Sequence, residues 1–258
     1  MNSSSSFSDV AGLAQSLSCH WAHAAQAPLA ASTGLPALDA ALAAGGWPQA
    51  GVIELLQSQP GMGEWQLVLP RLRALQHAHL GQGQVALVAP PHEPLIQALH
   101  GHGLDTTGLL LLRPPGAQQA AWATEQLLRC PEVAAVLAWL PQLTREGLRR
   151  LQRSARHAHR PLWLWRAPQA RHQPSPAPLR LWLQGLEVSA AHGARLRLQV
   201  LKQLGGPRGA ELTLSLTAPW QAWLQASARQ RARWHAALTT TEETAHDVVG
   251  TAPVAAAA

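Results

Sequence analysis

The chain has 258 residues, a formal net charge of +6 and 47% apolar side chains, enough to bury a sizeable core as one large domain with tails or as two small ones. Its two cysteines, Cys19 and Cys130, lie far apart with no C-x-x-C, which argues against a disulfide framework or a zinc site and fits a reducing compartment, the cytoplasm. No run approaches the ~18 apolar residues of a membrane helix, and the opening Met-Asn-Ser-Ser-Ser-Ser-Phe-Ser has neither the basic nor the apolar region of a signal peptide.

Residues 1–27 are rich in Ser, Ala and Gln without a sustained period and read as a flexible arm. Apolar runs at Val52–Leu56, Val85–Ala89, Leu109–Leu112, Val133–Leu137 and Leu162–Trp165 predict buried strands. Helical patterns over about 64–79, 93–101, 116–129 and 144–158 separate them, with Gly103, Pro114-Pro115 and Pro131 at the boundaries. Strands alternating with helices predict an α/β fold, a mostly parallel sheet covered on both faces. After about residue 180 the period becomes two, in Leu179–Leu183, Leu186–Ser189, Arg195–Leu201 and Glu211–Leu216, interrupted at Gly185, His192-Gly193 and Gly205-Gly206-Pro207. These segments predict antiparallel hairpins that finish the sheet. An amphipathic Trp/Arg helix is expected over 219–238. A disordered tail over 239–258 follows, Thr-Thr-Thr-Glu-Glu-Thr and then Ala-rich.

The first strand leads into Ser58-Gln-Pro-Gly61-Met-Gly63-Glu64-Trp65, and a helix follows. Strand, Gly-rich turn and helix form the setting of a P-loop, G-x-x-x-x-G-K-[ST], whose Lys reaches the phosphates and whose hydroxyl holds Mg²⁺. Here Ser58 stands at the first Gly, Glu64 at the Lys and Trp65 at the hydroxyl. A carboxylate at that point repels a triphosphate. The strand that should end in an acidic Mg²⁺ ligand ends instead in Trp139-Leu140-Pro141. In RecA-type ATPases, which this layout resembles, a catalytic Glu follows the second strand; Pro91 falls there, and Glu93, slightly downstream, is either a displaced base or, as expected here, the cap of the next helix. With three catalytic parts missing, the expectation is a nucleotidase scaffold without nucleotide chemistry: not an enzyme, with no cofactor and no metal.

The lead-in Thr33-Gly34-Leu-Pro-Ala-Leu38-Asp39-Ala-Ala-Leu42, the turn Gly45-Gly46-Trp47-Pro48 and the strand carrying Glu54 resemble the RecA-type recombinases over roughly residues 30 to 216. The order and spacing of Gly45-Gly46-Trp47-Pro48, Glu54-Leu55-Leu56, Gly61-Met-Gly63-Glu64, Pro90-Pro91, Leu137-Ala138-Trp139, Leu148-Arg149-Arg150-Leu151-Gln152, Ser175-Pro176-Ala177 and Leu201-Lys202 resemble the ImuA family, also called SulA-like. That resemblance implies a RecA-like domain over 28–218. It also implies a non-catalytic role in DNA-damage-induced (SOS) translesion synthesis, at the bacterial nucleoid. The implied partners are an ImuB-like Y-family pseudo-polymerase and an error-prone replicative-type DNA polymerase. An ATP-binding recombinase or motor and a SulA-like inhibitor of cell division are the alternatives.

Lys202 is the only lysine among the 20 basic residues. An arginine-rich surplus favours polyanionic partners, although GC-rich codons give the same excess. The helix at 144–158, with Thr144 as N-cap, places Arg145, Arg149, Arg153 and Arg156 on one broad face, Arg150 beside them, and Leu148, Leu151 and Ala155 opposite. This is a surface for nucleic-acid phosphates or an acidic partner, or else an ordinary solvated face. Arg166, Arg171 and Arg180 flank a Pro-rich loop that in RecA-type cores touches single-stranded DNA, with Trp163 and Trp165 as stacking groups; the tryptophans alternate within an apolar strand, and the expectation is that they belong to the core instead. Trp220, Trp223, Leu224, Trp234 and Leu238 form an apolar stripe with Arg231 beside it. It either docks into a partner's groove, folds back on its own sheet, or lies on a membrane surface. The histidine pairs His77/His79, His100/His102 and His157/His159 are spaced i, i+2, which on a helix directs them apart and away from a shared metal.

Overall fold

The computed structural model describes residues 30–61, 63–78, 83–189, 193–207 and 209–215. In chain order the elements are β1 (Ala30–Ala31), α1 (Pro36–Ala41), β2 (Trp47–Pro48), β3 (Gly51–Gln57), α2 (Glu64–Ala78), β4 (Gln84–Val88), α3 (Ile96–Gly101), β5 (Leu109–Leu112), α4 (Ala117–Arg129), β6 (Val133–Trp139), α5 (Arg145–His157), β7 (Pro161–Arg166), a 3-10 turn (Pro168–His172), β8 (Leu179–Ser189), β9 (Gly193–Lys202) and β10 (Glu211–Ser215). Eight strands form one mixed sheet in the order β10-β9-β8-β3-β7-β6-β4-β5, and β1 pairs with β2 alone. The fold is α/β, a mostly parallel sheet flanked by helices and finished by antiparallel hairpins, as the periodicity predicts.

The strands of the middle of the sheet are apolar throughout because both faces are covered. Ile53, Leu55, Leu137 and Trp163 pack with Leu67 and Leu72 of α2 on one face. Val52, Val136, Leu162 and Leu164 pack on the other with Ala120 and Leu128 of α4 and Leu148, Leu151 and Ala155 of α5. In the lead-in to α1, Asp39 accepts from the Ser32 hydroxyl (2.6 Å) and the Thr33 N–H (2.7 Å), which fixes the turn ahead of the helix. Gly46 lies so close to the Ala31 carbonyl that any side chain would collide with it, and this lets β2 approach β1.

Three sequence expectations need correction. Gly185 does not end a strand: β8 continues to Ser189, with a register shift between Leu183 and Gly185 that absorbs the glycine as an irregularity. β8 is antiparallel to β9 but parallel to β3, because the connection after β7 returns the chain to the start of the sheet before the hairpin begins. The helix expected from about 93 begins at Ile96. Glu93 is not its cap; the N-cap position is Leu95, and Glu93 pairs with Arg113 at 3.6 Å on the surface.

Candidate functional site

The turn between β3 and α2 is where a phosphate would be cradled. Gly61 and Gly63 take positive φ (84° and 82°), a conformation that costs glycine little and turns backbone N–H groups inward. Glu64, first residue of α2, is only 4% exposed. Its Oε1 accepts from the Gly61 N–H at 2.9 Å, and its Oε2 has no hydrogen-bond partner among the described residues. The carboxylate is therefore turned into the cradle, beside the positive end of a 15-residue helix. A carboxylate thus stands where a working P-loop would take up an external phosphate.

The strand ends opposite this turn are filled by indoles. Trp139 and Trp165 are register partners on β6 and β7 and stack with centroids 4.4 Å apart and planes 8° apart. Trp65, at the position of the Mg²⁺-binding hydroxyl, leans on Trp139 at 6.0 Å. Below them Trp163 meets Trp47 edge-on at 6.2 Å. The indole N–H groups of Trp47, Trp139, Trp163 and Trp165 are buried without a partner among the described residues. The expectation that Trp163 and Trp165 belong to the core holds.

On the other face a buried ion cluster locks the segment after β7. The fully buried Glu54 accepts from Arg166 Nη1 (3.0 Å) through one oxygen and from Arg180 Nε (2.6 Å) through the other. Arg166 Nη2 donates to the Leu143 carbonyl (2.8 Å) and Gln173 Oε1 (3.3 Å). Arg180 donates to the carbonyls of Ala170 (2.7 Å) and Gln173 (3.2 Å), and Lys202 Nζ to that of Ser175 (2.8 Å). Arg166 and Arg180 are thus structural rather than nucleic-acid ligands. Two guanidiniums on one carboxylate leave a positive charge that the carbonyls solvate. Arg171 remains exposed, its guanidinium 5.5 Å from the centre of the Trp182 ring.

The helix α5 begins as the sequence indicates, with the Thr144 hydroxyl accepting from the Gly147 N–H at 3.1 Å. Arg145, Arg149, Arg153 and Arg156 are exposed, and none has an ion-pair partner among the described residues. They form a row of four over about 16 Å of helix. Arg150 departs from the expectation: it turns toward α4 and pairs with Glu125 at 2.6 Å, where Arg129 (2.7 Å) and the Ser154 hydroxyl (3.3 Å) also bind. The Arg150 hydrogen bond holds the Glu125 carboxyl below its ordinary value of 4.5, against the opposing effect of burial. Next to this pair a cavity of about 440 Å³ opens between α4 and α5, lined by Ala117, Ala121, Leu143, Gly147 and Leu151.

Sequence reading missed Glu54 and Glu125 as organising charges. The signal for Glu54 is present: a carboxylate inside Val-Ile-Glu-Leu-Leu, with arginines inside the apolar Trp-Leu-Trp-Arg and Leu-Arg-Leu-Trp, must find partners when buried. Trp220, Trp223, Leu224, Arg231 and Trp234 lie outside the described residues. Among the described residues no three His, Cys, Asp or Glu side chains are grouped to hold a metal, and no helix is long and apolar enough to cross a membrane. No model of a known protein family matches the chain, and no curated protein matches it.

Proposed function

We propose that this protein is a non-catalytic accessory of DNA-damage-induced translesion synthesis, of the ImuA kind, which works through standing contacts with polymerase partners and DNA in the bacterial cytoplasm. One observation carries the negative half of this reading: the Glu64 carboxylate fills its own phosphate cradle. A nucleotide would have to expel a buried anion and then meet stacked indoles in place of a hydroxyl and an acid. The row on α5 supports the positive half, since unpaired arginines at regular spacing suit a phosphodiester backbone. The ImuB-like pseudo-polymerase and the error-prone replicative-type polymerase are the proposed protein partners, on the sequence resemblance already given.

Mg·ATP is expected neither to be hydrolysed above a buffer blank nor to raise Tm. A ligand present at 100 times its Kd would stabilise the fold by about 2.7 kcal/mol, a shift easily read. DNA-stimulated hydrolysis that disappears on mutating the 58–65 turn would sink this reading.

Co-purification tests the partner half. The chain is expected to retain the ImuB-like companion, and truncation after Ala218 to abolish that contact while leaving the sheet folded. Trp220→Ala with Trp223→Ala should reproduce much of the loss, because buried aromatic anchors contribute ~2 kcal/mol or more each. A folded, truncated protein that still binds moves the interface elsewhere.

A further inference from the structure

Among the described residues the sheet ends at β5, and no strand or helix pairs with that edge. In the β4–β5 ladder the Val85 N–H donates to the Gly108 carbonyl (2.9 Å) and the Ala89 N–H to the Leu112 carbonyl (2.8 Å). Alternate residues of a parallel strand serve one neighbour, so positions 108, 110 and 112 face β4. The N–H and C=O of Leu111, the C=O of Leu109 and the N–H of Arg113 therefore point away from the sheet. Natural edges are usually blunted by Lys, Pro or a bulge. Leu109–Leu112 is four leucines with none of these.

Apolar side chains gather at the same edge. Of the five large hydrophobics left exposed among the described residues, three are here: Leu111 (40%), Leu95 (58%) and Ile96 (44%). The Glu93–Arg113 ion pair ties the segment before α3, two residues ahead of Leu95, to the end of β5. Leu111 lies on the same face as Leu109, which packs on the α2 side of the core.

We propose that a second copy of this chain pairs here, β5 against β5, antiparallel, about a two-fold axis passing beside Leu111. Leu111 presents one outward donor and one outward acceptor. The same residue rotated by a half-turn returns one acceptor and one donor, so each Leu111 closes both bonds of the other. Leu109 and Arg113 lie two positions on either side, so the same axis sets the Leu109 carbonyl of one copy against the Arg113 N–H of the other. One register satisfies all four outward groups identically on both chains, the isologous arrangement of a closed dimer. It also sets the Leu111 side chains against each other, about 5.5 Å apart at Cα. No like charges face each other within the strand pair.

The test uses the full chain and needs neither DNA nor polymerase. Sedimentation equilibrium should show a monomer–dimer equilibrium. Leu111→Lys should raise its Kd by at least about tenfold, because two ammonium groups then oppose across the axis. Leu204→Lys, at a site 70% exposed elsewhere on the surface, should leave it unchanged, and Tm of each variant checks folding. Leu111→Cys, with Cys19→Ser and Cys130→Ser, should cross-link to itself with a short bismaleimide. The proposal is overturned by a wild-type monomer at all concentrations, by a dimer indifferent to Leu111→Lys, or by a dimer whose Leu111→Cys variant does not cross-link.

Discussion

Glu54→Ala is expected to lower the unfolding free energy by about 3–5 kcal/mol, the usual effect of removing one partner from a buried ion cluster. For a domain of this size that corresponds to a fall in Tm of roughly 6–20 °C. Arg166 and Arg180 would remain buried, each still bound to carbonyls but without a counter-charge. Their other contacts hold the 168–176 segment and the entry to α5, so the damage should reach both. Thermal unfolding followed by circular dichroism measures it. Replacing all three charges together, Glu54→Leu with Arg166→Met and Arg180→Met, should recover much of the loss, since apolar substitutes for buried ion clusters are often neutral. A Glu54→Ala protein as stable as wild type would mean that the cluster does not hold this region.

Charge reversal on α5 is the second large effect. Four phosphate contacts from Arg145, Arg149, Arg153 and Arg156 would make DNA affinity fall by roughly 10²-fold between 50 and 200 mM salt. Arg145→Glu, Arg149→Glu and Arg153→Glu together should abolish binding at low salt. A milder triple change to Ala should reduce the salt slope by about 3, one unit for each lost contact. Stability should change little, because all three side chains are exposed and unpaired among the described residues. Arg150→Ala is a useful contrast: it breaks the Glu125 contact and should affect the α4–α5 packing more than DNA affinity. Unchanged affinity in a folded triple-Glu variant would return the row to a solvated helix face.

The strands, helices and fold class were legible because burial imposes a period. Val133–Trp139 is apolar at every position since both sheet faces are covered, whereas Leu148, Leu151 and Ala155 recur at helical spacing since only one side of α5 meets the sheet. The helix starting at Ile96 is shorter than its pattern predicts, because the 93–95 stretch carries an acid that reads as a cap. That acid instead answers Arg113, a residue 20 positions away in sequence.

The missing Lys and hydroxyl of the turn, and the missing acid at the end of β6, were also readable one residue at a time, because a motif position is either chemically competent or not. Where their replacements go was not readable. The sequence places Glu64 at the lysine position; only the folded turn brings its carboxylate within 2.9 Å of the Gly61 N–H. Likewise Arg153 and Arg166 are the same residue type in basic surroundings. One is exposed, while the other lies under the 3-10 segment with its charge spent on Glu54, 112 positions earlier. Local pattern thus determined the elements, the α/β class and the absence of a Lys and a hydroxyl at positions 64 and 65, because these depend on residue identity and short-range period. The tertiary structure decided which charges are available to a partner, because exposure and ion pairing depend on which strands become neighbours, and the order β8-β3-β7 is not written in any one segment.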